Sequence, residues 1–573
     1  MPIFWTNTGS SSKPGARQDA ASSSAPSSEA QSDHVARSAG IVSSAILTSR
    51  LTGLAREMVM ANKFGAGFSY DAFLLAFRIP GVLRTLFAEG ALSSAFVPTF
   101  AVALASTDRK QAAQLSNLLA TALIVVVGPL CLFGVIFAPQ LVWILAPGFA
   151  AVPGKFELAV RLTRIMLPFL LLVALAAQAM GILNSCDKFG VPALASTFFN
   201  IGSVCFGLAL GFWLGPYIGI TPIEGMAWGV LFGGTLQLLW QIPSLHRLGF
   251  TFRPAFNWSH PGLRQIFRLM GPAILGNAAV QINVTVNTNL ASRLSDPLRG
   301  PDGPVSWLAY AFRFMQLPLG LFGVAFAAAL LPSVSRSAAL NNFEQFRKTV
   351  SRSLGLVFLL TIPSSLGLIA LGRPIIGAIF QSGRFDAYDT KQTAVALSCY
   401  AVGLLGYAGS KILNPAFYAL SDARTPMYIS LISVIVNLAV ALLLLNVFHF
   451  GFAALALSTS SVAIVSSLCL FESLRRKLGG IEGRYLLDRI ARITGASLLM
   501  TLAVTAASHF LSGFLTSTRI SYLTEIAVCL PLGLLVFTLA SQLFQINEIQ
   551  VAARAFSAAF QRSTLGPHAR IRS

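Results

Sequence analysis

Between Ser49 and Gly90 an otherwise apolar stretch carries Arg50, Arg56, Arg78 and Arg84 beside Glu57, Asp71 and Glu89. Arginine stays charged, and its planar fork gives paired, charge-assisted hydrogen bonds to a carboxylate or a phosphate. At helical spacing Ser49, Thr52 and Arg56 form one stripe, and Arg50, Gly53 and Glu57 form a second about 100° away. Asp71 and Arg78 lie seven apart on one face, and Pro80 with Gly81 is expected to interrupt the helix before Arg84 and Glu89. Further on, Asn277, Gln281, Thr285 and Thr288 make a neutral polar stripe, and Arg313 stands inside another apolar run. Five arginines face three acids, so pairing within the set is incomplete. An ionised side chain facing lipid at mid-span costs roughly 2.5–3.5 kcal/mol. These groups therefore face a hollow, pair with one another, or mark span ends. The chemistry they offer is binding of an anion. The plainer reading makes Arg50 and Arg84 markers of span ends, and the Asn/Gln stripe glue between helices.

The elements that must hold these residues are membrane helices. The chain has 573 residues, of which 55% are hydrophobic and only 11% charged, against about 25% charged in soluble proteins. Apolar runs of about 20 residues or more, long enough to cross a bilayer, alternate with short polar connections. Spans are expected near 37–64, 70–104, 114–138, 157–183, 190–214, 223–245, 268–291, 304–334, 352–372, 390–419, 426–447, 451–471, 490–513 and 520–545. Fourteen spans place both termini on one side. With that side as the cytoplasm, its loops hold eighteen basic residues against ten opposite, as the positive-inside bias requires. The net charge of +20 then reports orientation and not nucleic-acid binding.

The spans repeat. At an offset of 235 residues Ala76–Arg78 falls on Ala311–Arg313, Pro139 on Pro374, Gly148 on Gly383 and Asp187 on Asp422. Six spans per unit gives two units of one orientation, whose interface is where transporters place substrate. The expected fold is an all-α polytopic membrane protein. It comprises a cytoplasmic tail without structure over 1–35, an N-lobe over 36–250, a C-lobe over 251–478, two extra helices over 479–547 and a tail over 548–573. The tail lacks the basic-then-apolar order of a signal peptide, so the first span is expected to serve as an uncleaved signal.

Enzyme chemistry finds no support. There is no G-x-x-x-x-G-K-[ST] loop, no H-E-x-x-H helix, no metal spacing among the six cysteines and no nucleophile with its base. A transporter without cofactor or metal is the expectation.

The stretches "SRLTGLARE", "FGAGFSYDAFLLAFRIPGVLRTLFAEGALSSAFVP", "GPAILG", "VSWLAYAFRFMQLPLGLFGVAFAAALLPSVSRS" and "ILNPAFYALSDARTPMYIS" resemble the MurJ/MviN family of bacterial lipid II flippases, over roughly 36–545. The resemblance implies movement of lipid II, the undecaprenyl-diphosphate-linked peptidoglycan precursor, to the outer leaflet of the cytoplasmic membrane. It implies a cavity between the lobes, lined by spans one, two, seven and eight, with Arg50, Arg56, Arg84 and Arg313 binding the substrate. Ser49, Glu57, Asp71, Arg78, Glu89, Asn277 and Gln281 support that cavity or its gate. The last two spans are implied to hold the polyprenyl tail, and membrane lipid and cell-wall synthesis proteins are the further partners. Phe312 stands where many relatives have an aspartate, and Glu57 where Asp is common. Alternating access is the expected mechanism, with bends at Gly53, Pro80, Gly81 and Pro318, and with membrane potential or ion exchange left open as the driving force. The rivals are an exporter of another lipid-linked saccharide, a cation-coupled multidrug exporter and a non-transporting scaffold for cell-wall enzymes.

Overall fold

The computed structural model describes residues 28–85, 92–106, 109–320, 324–514 and 518–546. All fourteen expected passes are present as helices. The first half contains α1 (Ser28–Phe64), α2 (Phe68–Arg84) with α3 (Ser93–Ser106), α4 (Arg109–Ile136), the short α5 (Ala138–Leu145), and α6 (Lys155–Met166) with α7 (Phe169–Ser185). It continues through α8 (Gly190–Leu208), a π-type stretch and α9 (Gly215–Ile218), then α10 (Pro222–Leu239) and α11 (Ile242–Arg247). The second half contains α12 (Pro261–Ser292), α13 (Pro304–Pro318) with α14 (Val324–Ala339), α15 (Phe343–Ala370), the short α16 (Gly372–Phe380), and α17 (Ala387–Val402) with α18 (Leu404–Ala419). It ends with α19 (Arg424–Asn446), α20 (Ala453–Lys477), α21 (Gly483–Phe514) and α22 (Arg519–Leu543).

The repeat is visible in these bounds. Each half has a second pass described on both sides of a short undescribed segment, as α2 with α3 and α13 with α14. Each has a 28-residue third pass, α4 and α15, followed by a short helix at the same end. Each reverses after its fourth pass through a left-handed residue, Asp187 (φ 57°) and Ser421 (φ 58°). The two passes α21 and α22 pack on each other, on α15 and on α16.

Two boundaries differ from expectation. The first helix begins at Ser28, inside the tail expected to lack structure, because extending an existing helix is far easier than nucleating one. Pro80 does not interrupt the second pass: α2 runs through it to Arg84. A proline inside a packed membrane helix is tolerated where neighbours re-satisfy the freed backbone.

Among the described residues eight helices are long and apolar enough to cross a membrane individually, and the bent pair α17–α18 makes a ninth.

Close packing in the first half rests on small residues. Gly225, Gly229 and Gly233 of α10 recur every four residues and lie against α8 and the π-type stretch that follows it, the small-xxx-small pattern that lets membrane helices approach. A Cβ on Gly229 would stand 2.3 Å from the Ser203 carbonyl oxygen and 2.7 Å from the Gly207 Cα. Both atoms are backbone, so the helices themselves must separate. Gly229→Leu is expected to lower the detergent-solubilised unfolding temperature by several degrees, read by a thermal-shift measurement against Gly219→Ala. Nothing within 4 Å would meet a Cβ at Gly219, although its positive φ of 72° adds a small backbone cost.

At the end where both termini lie, Lys477 Nζ reaches Asp422 Oδ2 at 2.8 Å and Thr425 donates from both its N–H and hydroxyl to the same carboxyl group. These partners, Lys477 first, hold the Asp422 carboxyl below the usual carboxylate range. Because the folded value is depressed, this support is complete above the unfolded carboxylate range and fades only as acid is added through it.

Candidate functional site

Two clusters join the halves, both near or beyond mid-pass toward the end that carries the α1–α2 turn, hereafter the turn end. The first centres on Glu57, which is 3% exposed. Arg56 Nη2 approaches Glu57 Oε1 at 3.0 Å, and Arg313 Nη2 approaches the same oxygen at 2.9 Å. Tyr70 donates its hydroxyl to Glu57 Oε2 at 2.8 Å, and its ring stacks on Tyr310 at 4.9 Å. Arg56 lies over the rings of Phe77 and Phe199, at 5.6 and 5.4 Å. Thus α1 supplies one arginine and the acid, α13 supplies the other arginine, and aromatic residues of α2, α8 and α13 fix their directions. One carboxylate shared by two guanidiniums leaves the cluster with excess positive charge.

Arg313 keeps 44% of its side chain exposed although it stands inside a membrane pass. The void that Arg56, Glu57 and Arg313 line together is small, about 20 Å³. Arg50, on the exposed face of α1, points across to the second half: its Nη2 lies 3.0 Å from where a side chain on Gly320 would begin. Arg84 is half-buried on the last turn of α2. Arg78 donates to Thr288 Oγ1 of α12, so one member of the neutral stripe is its partner across the halves. The Ser49 carbonyl accepts from Asn200 Nδ2 of α8 at 3.1 Å, holding α1 inside the first half. Gln281 is half-buried on α12. Glu89 lies outside the described residues, as does the side chain of Asn277. Phe312, at the position where an acid was expected, packs edge-on against Tyr400.

Asp71 is not among the arginines. It is fully buried at the turn end and accepts from Lys155 Nζ at 2.8 Å, from the Gly303 N–H at 3.1 Å, and from both the N–H and hydroxyl of Ser306. Lys155, itself 0% exposed, also reaches Asp302 Oδ1 at 2.7 Å and the Pro301 carbonyl at 3.2 Å. Two of the orphan N–H groups at the start of α13, those of Gly303 and Ser306, are capped by a carboxylate from the other half. Nearby, Tyr310 donates to the Gly65 carbonyl, and the Arg384 N–H to the Asn62 carbonyl. These contacts form a latch, closed in this structure.

Lys155, Asp302, Ser306 and Tyr70 were not singled out by sequence. A lysine opening an apolar run looks like an interfacial anchor, and nothing local marks its partners, which lie 84 residues before and 147 after it. Among the described residues no group of three or more His, Cys, Asp or Glu is placed to hold a metal.

Comparison with known proteins agrees with this geometry. The profile of the family described as "Lipid II flippase MurJ" matches residues 60–525. The "Lipid II flippase MurJ" of Burkholderia cenocepacia is 36% identical over 440 residues, covering 76% of this chain and 83% of the relative. The "Probable lipid II flippase MurJ" of Buchnera aphidicola is 32% identical over 472 residues, covering 82% and 90%. A solved "Lipid II flippase MurJ, inward closed conformation" superposes with a TM-score of 0.72 at 26% identity, over 89% of this chain and 99% of that one. An inward-facing multidrug transporter of the MATE family shares the fold alone, with a TM-score of 0.62 at 15% identity. This multi-pass membrane protein belongs to the MurJ family of lipid II flippases.

Proposed function

We propose that the chain moves lipid II, the lipid-linked peptidoglycan precursor, across the bacterial cytoplasmic membrane. The observation that carries this reading is the placing of Arg56 and Arg313, from opposite halves, on one buried carboxylate. With Asp71 held by Lys155 and the start of α13, Glu57 is the shared counter-ion of Arg56 and Arg313, which supports an anion as the ligand. A diphosphate, with several oxygens at fixed spacing, suits arginine forks better than any single carboxylate does. Arg50 on α1 and Arg84 on α2 stand closer to the terminal end.

Under this reading the terminal end faces the cytoplasm and the turn end faces outward. The parts that move are 36–250 and 251–478, with 479–547 attached to the second. The latch of Asp71, Lys155, Asp302 and Ser306 holds the outer side shut while the head group enters from inside. Rocking of the lobes then opens the latch as the opposite side closes. Alternating access of this kind needs bends, for which Gly53, Pro80, Gly81 and Pro318 are the candidates.

The test is rescue of a bacterium depleted of its own lipid II flippase. The intact chain is expected to restore growth, and Arg50→Ala, Arg84→Ala and Arg313→Ala at matched membrane levels are not. Failure of the intact chain despite proper insertion moves the substrate to another lipid-linked saccharide. Rescue by all the variants removes the arginines from the mechanism.

A further inference from the structure

Both halves contain a cleft at the terminal end, walled by the third, fourth and sixth passes and roofed by the segment that follows the sixth. In the first half, α4, α7, α10 and α11 wall a cleft of about 250 Å³ whose roof includes Phe250 and Phe252. Phe250 is 6% exposed. The roof is tied down: the Arg253 N–H donates to Asn117 Oδ1 at 3.2 Å, and the Ala255 N–H to Thr121 Oγ1 at 3.1 Å. In the second half the equivalent cleft lies between α15, α18 and α20, under the start of α21, and measures about 700 Å³. Gln178 and Leu413, which line the two clefts, are the same repeat position, 235 residues apart. The first half fills the space with its own phenylalanine. The second half leaves it open.

The open cleft has a polarity gradient. Its floor is apolar, with Leu354, Phe358, Leu413 and Phe471, and its mouth carries Arg475 and Arg484 beside one acid, Glu482. Arg475 is paired with Glu472 at 3.1 Å. Among the described residues Arg484 has no ion-pair partner. Leu468 and Leu487 on the rim are 62% and 69% exposed, so the cleft opens sideways to hydrocarbon and not only to water. None of its lining residues comes from α22, α13 or α14, which separates it from the hollow between the halves and from any groove shared by α21 and α22. Its volume falls in the range of about 300–1,000 Å³ that holds a bound molecule.

We propose that this cleft is a binding site for an anionic diacyl phospholipid of the membrane. One acyl chain lies on Leu354, Phe358 and Phe471, and the phosphate sits between Arg475 and Arg484 at the headgroup boundary, where basic side chains engage anionic lipid. The bound lipid takes the structural place that Phe250 holds in the other half and cements α21 to the second lobe. The inference rests on the membrane fold and the repeat, not on the transport reading.

The test uses the full chain in phosphatidylcholine vesicles with a small fraction of phosphatidylglycerol bearing a photoreactive acyl chain, and maps labelled peptides. Labelling is expected to concentrate on Leu468, Phe471 and the 486–490 segment. It should fall about fivefold or more in the Arg475→Gln/Arg484→Gln variant, and a photoreactive phosphatidylcholine should label these positions comparably weakly. Leu468→Trp, which keeps both arginines but narrows the cleft, should displace the label with the unfolding temperature unchanged. Equal labelling by the choline lipid, undiminished labelling in the arginine variant, or no labelling at these positions overturns the proposal. Preferential labelling by a photoreactive polyprenyl diphosphate overturns it too, and makes the cleft a substrate site.

Discussion

Arg313→Ala is expected to abolish rescue of flippase-depleted cells while leaving the protein in the membrane at normal levels. The substitution removes the second guanidinium from Glu57 and breaks the charged contact between α1 and α13 that spans the two halves. Truncating one partner of a fully buried charge pair costs about 2–5 kcal/mol; with Glu57 buried but Arg313 44% exposed, the expected loss lies near the low end, roughly thirtyfold in the affected equilibrium. Stability should suffer less than transport, because Glu57 keeps Arg56 and the Tyr70 hydroxyl. The discriminating comparison is Arg313→Lys. Lysine keeps the charge but loses the fork, so a substrate held through paired hydrogen bonds should be transported poorly by it. Full rescue by Arg313→Lys would mean that charge alone suffices, and full rescue by Arg313→Ala would remove this residue from substrate handling.

The second large effect concerns the latch. Lys155→Met should shift the molecule toward a state open at the turn end. Removing the lysine leaves Asp71 and Asp302 without the cation that both now share, and breaking a buried ion pair by deleting one partner costs about 3–5 kcal/mol. A shift of that size is over a hundredfold in a two-state equilibrium. Spin labels at Ala151 and Leu298, exposed positions on the two halves at this end, should report a longer distance in Lys155→Met than in the parent. Asp71→Asn should act in the same direction but more weakly, since its oxygen can still accept from Gly303 or Ser306. Unchanged distances in Lys155→Met would show that the aromatic packing of Tyr70, Tyr310, Phe380 and Phe385 closes this end without the charges.

The fold was legible because its signal is repeated and local. Apolar run length gave fourteen passes, and the 235-residue offset paired them, since both depend only on neighbours along the chain. Half of the site was legible for the same reason: Arg56 and Glu57 lie on adjacent stripes of one helix, and an arginine in an apolar run draws attention wherever it stands. The rest was not. Asp71 was expected to support the cavity or its gate, but nothing local shows that its partners are the first N–H groups of a helix 232 and 235 residues later. Arg78 looked as well suited to a structural pair as to a cavity, and only Thr288, 210 residues away, decides where it bonds. Contacts between the halves leave no trace in local spacing, and the latch consists of nothing else.

On the proposed reading, Glu57 sets a threshold for any ligand of Arg56 and Arg313, because an anion that binds them competes with a carboxylate already seated between them. A monoanion would replace one negative charge with another and gain nothing for its own desolvation. A diphosphate would bring more charge than it displaces and could hold both arginines after Glu57 lets go. The built-in carboxylate would then be a filter against the abundant singly charged lipids around the protein, reseating once the ligand has left.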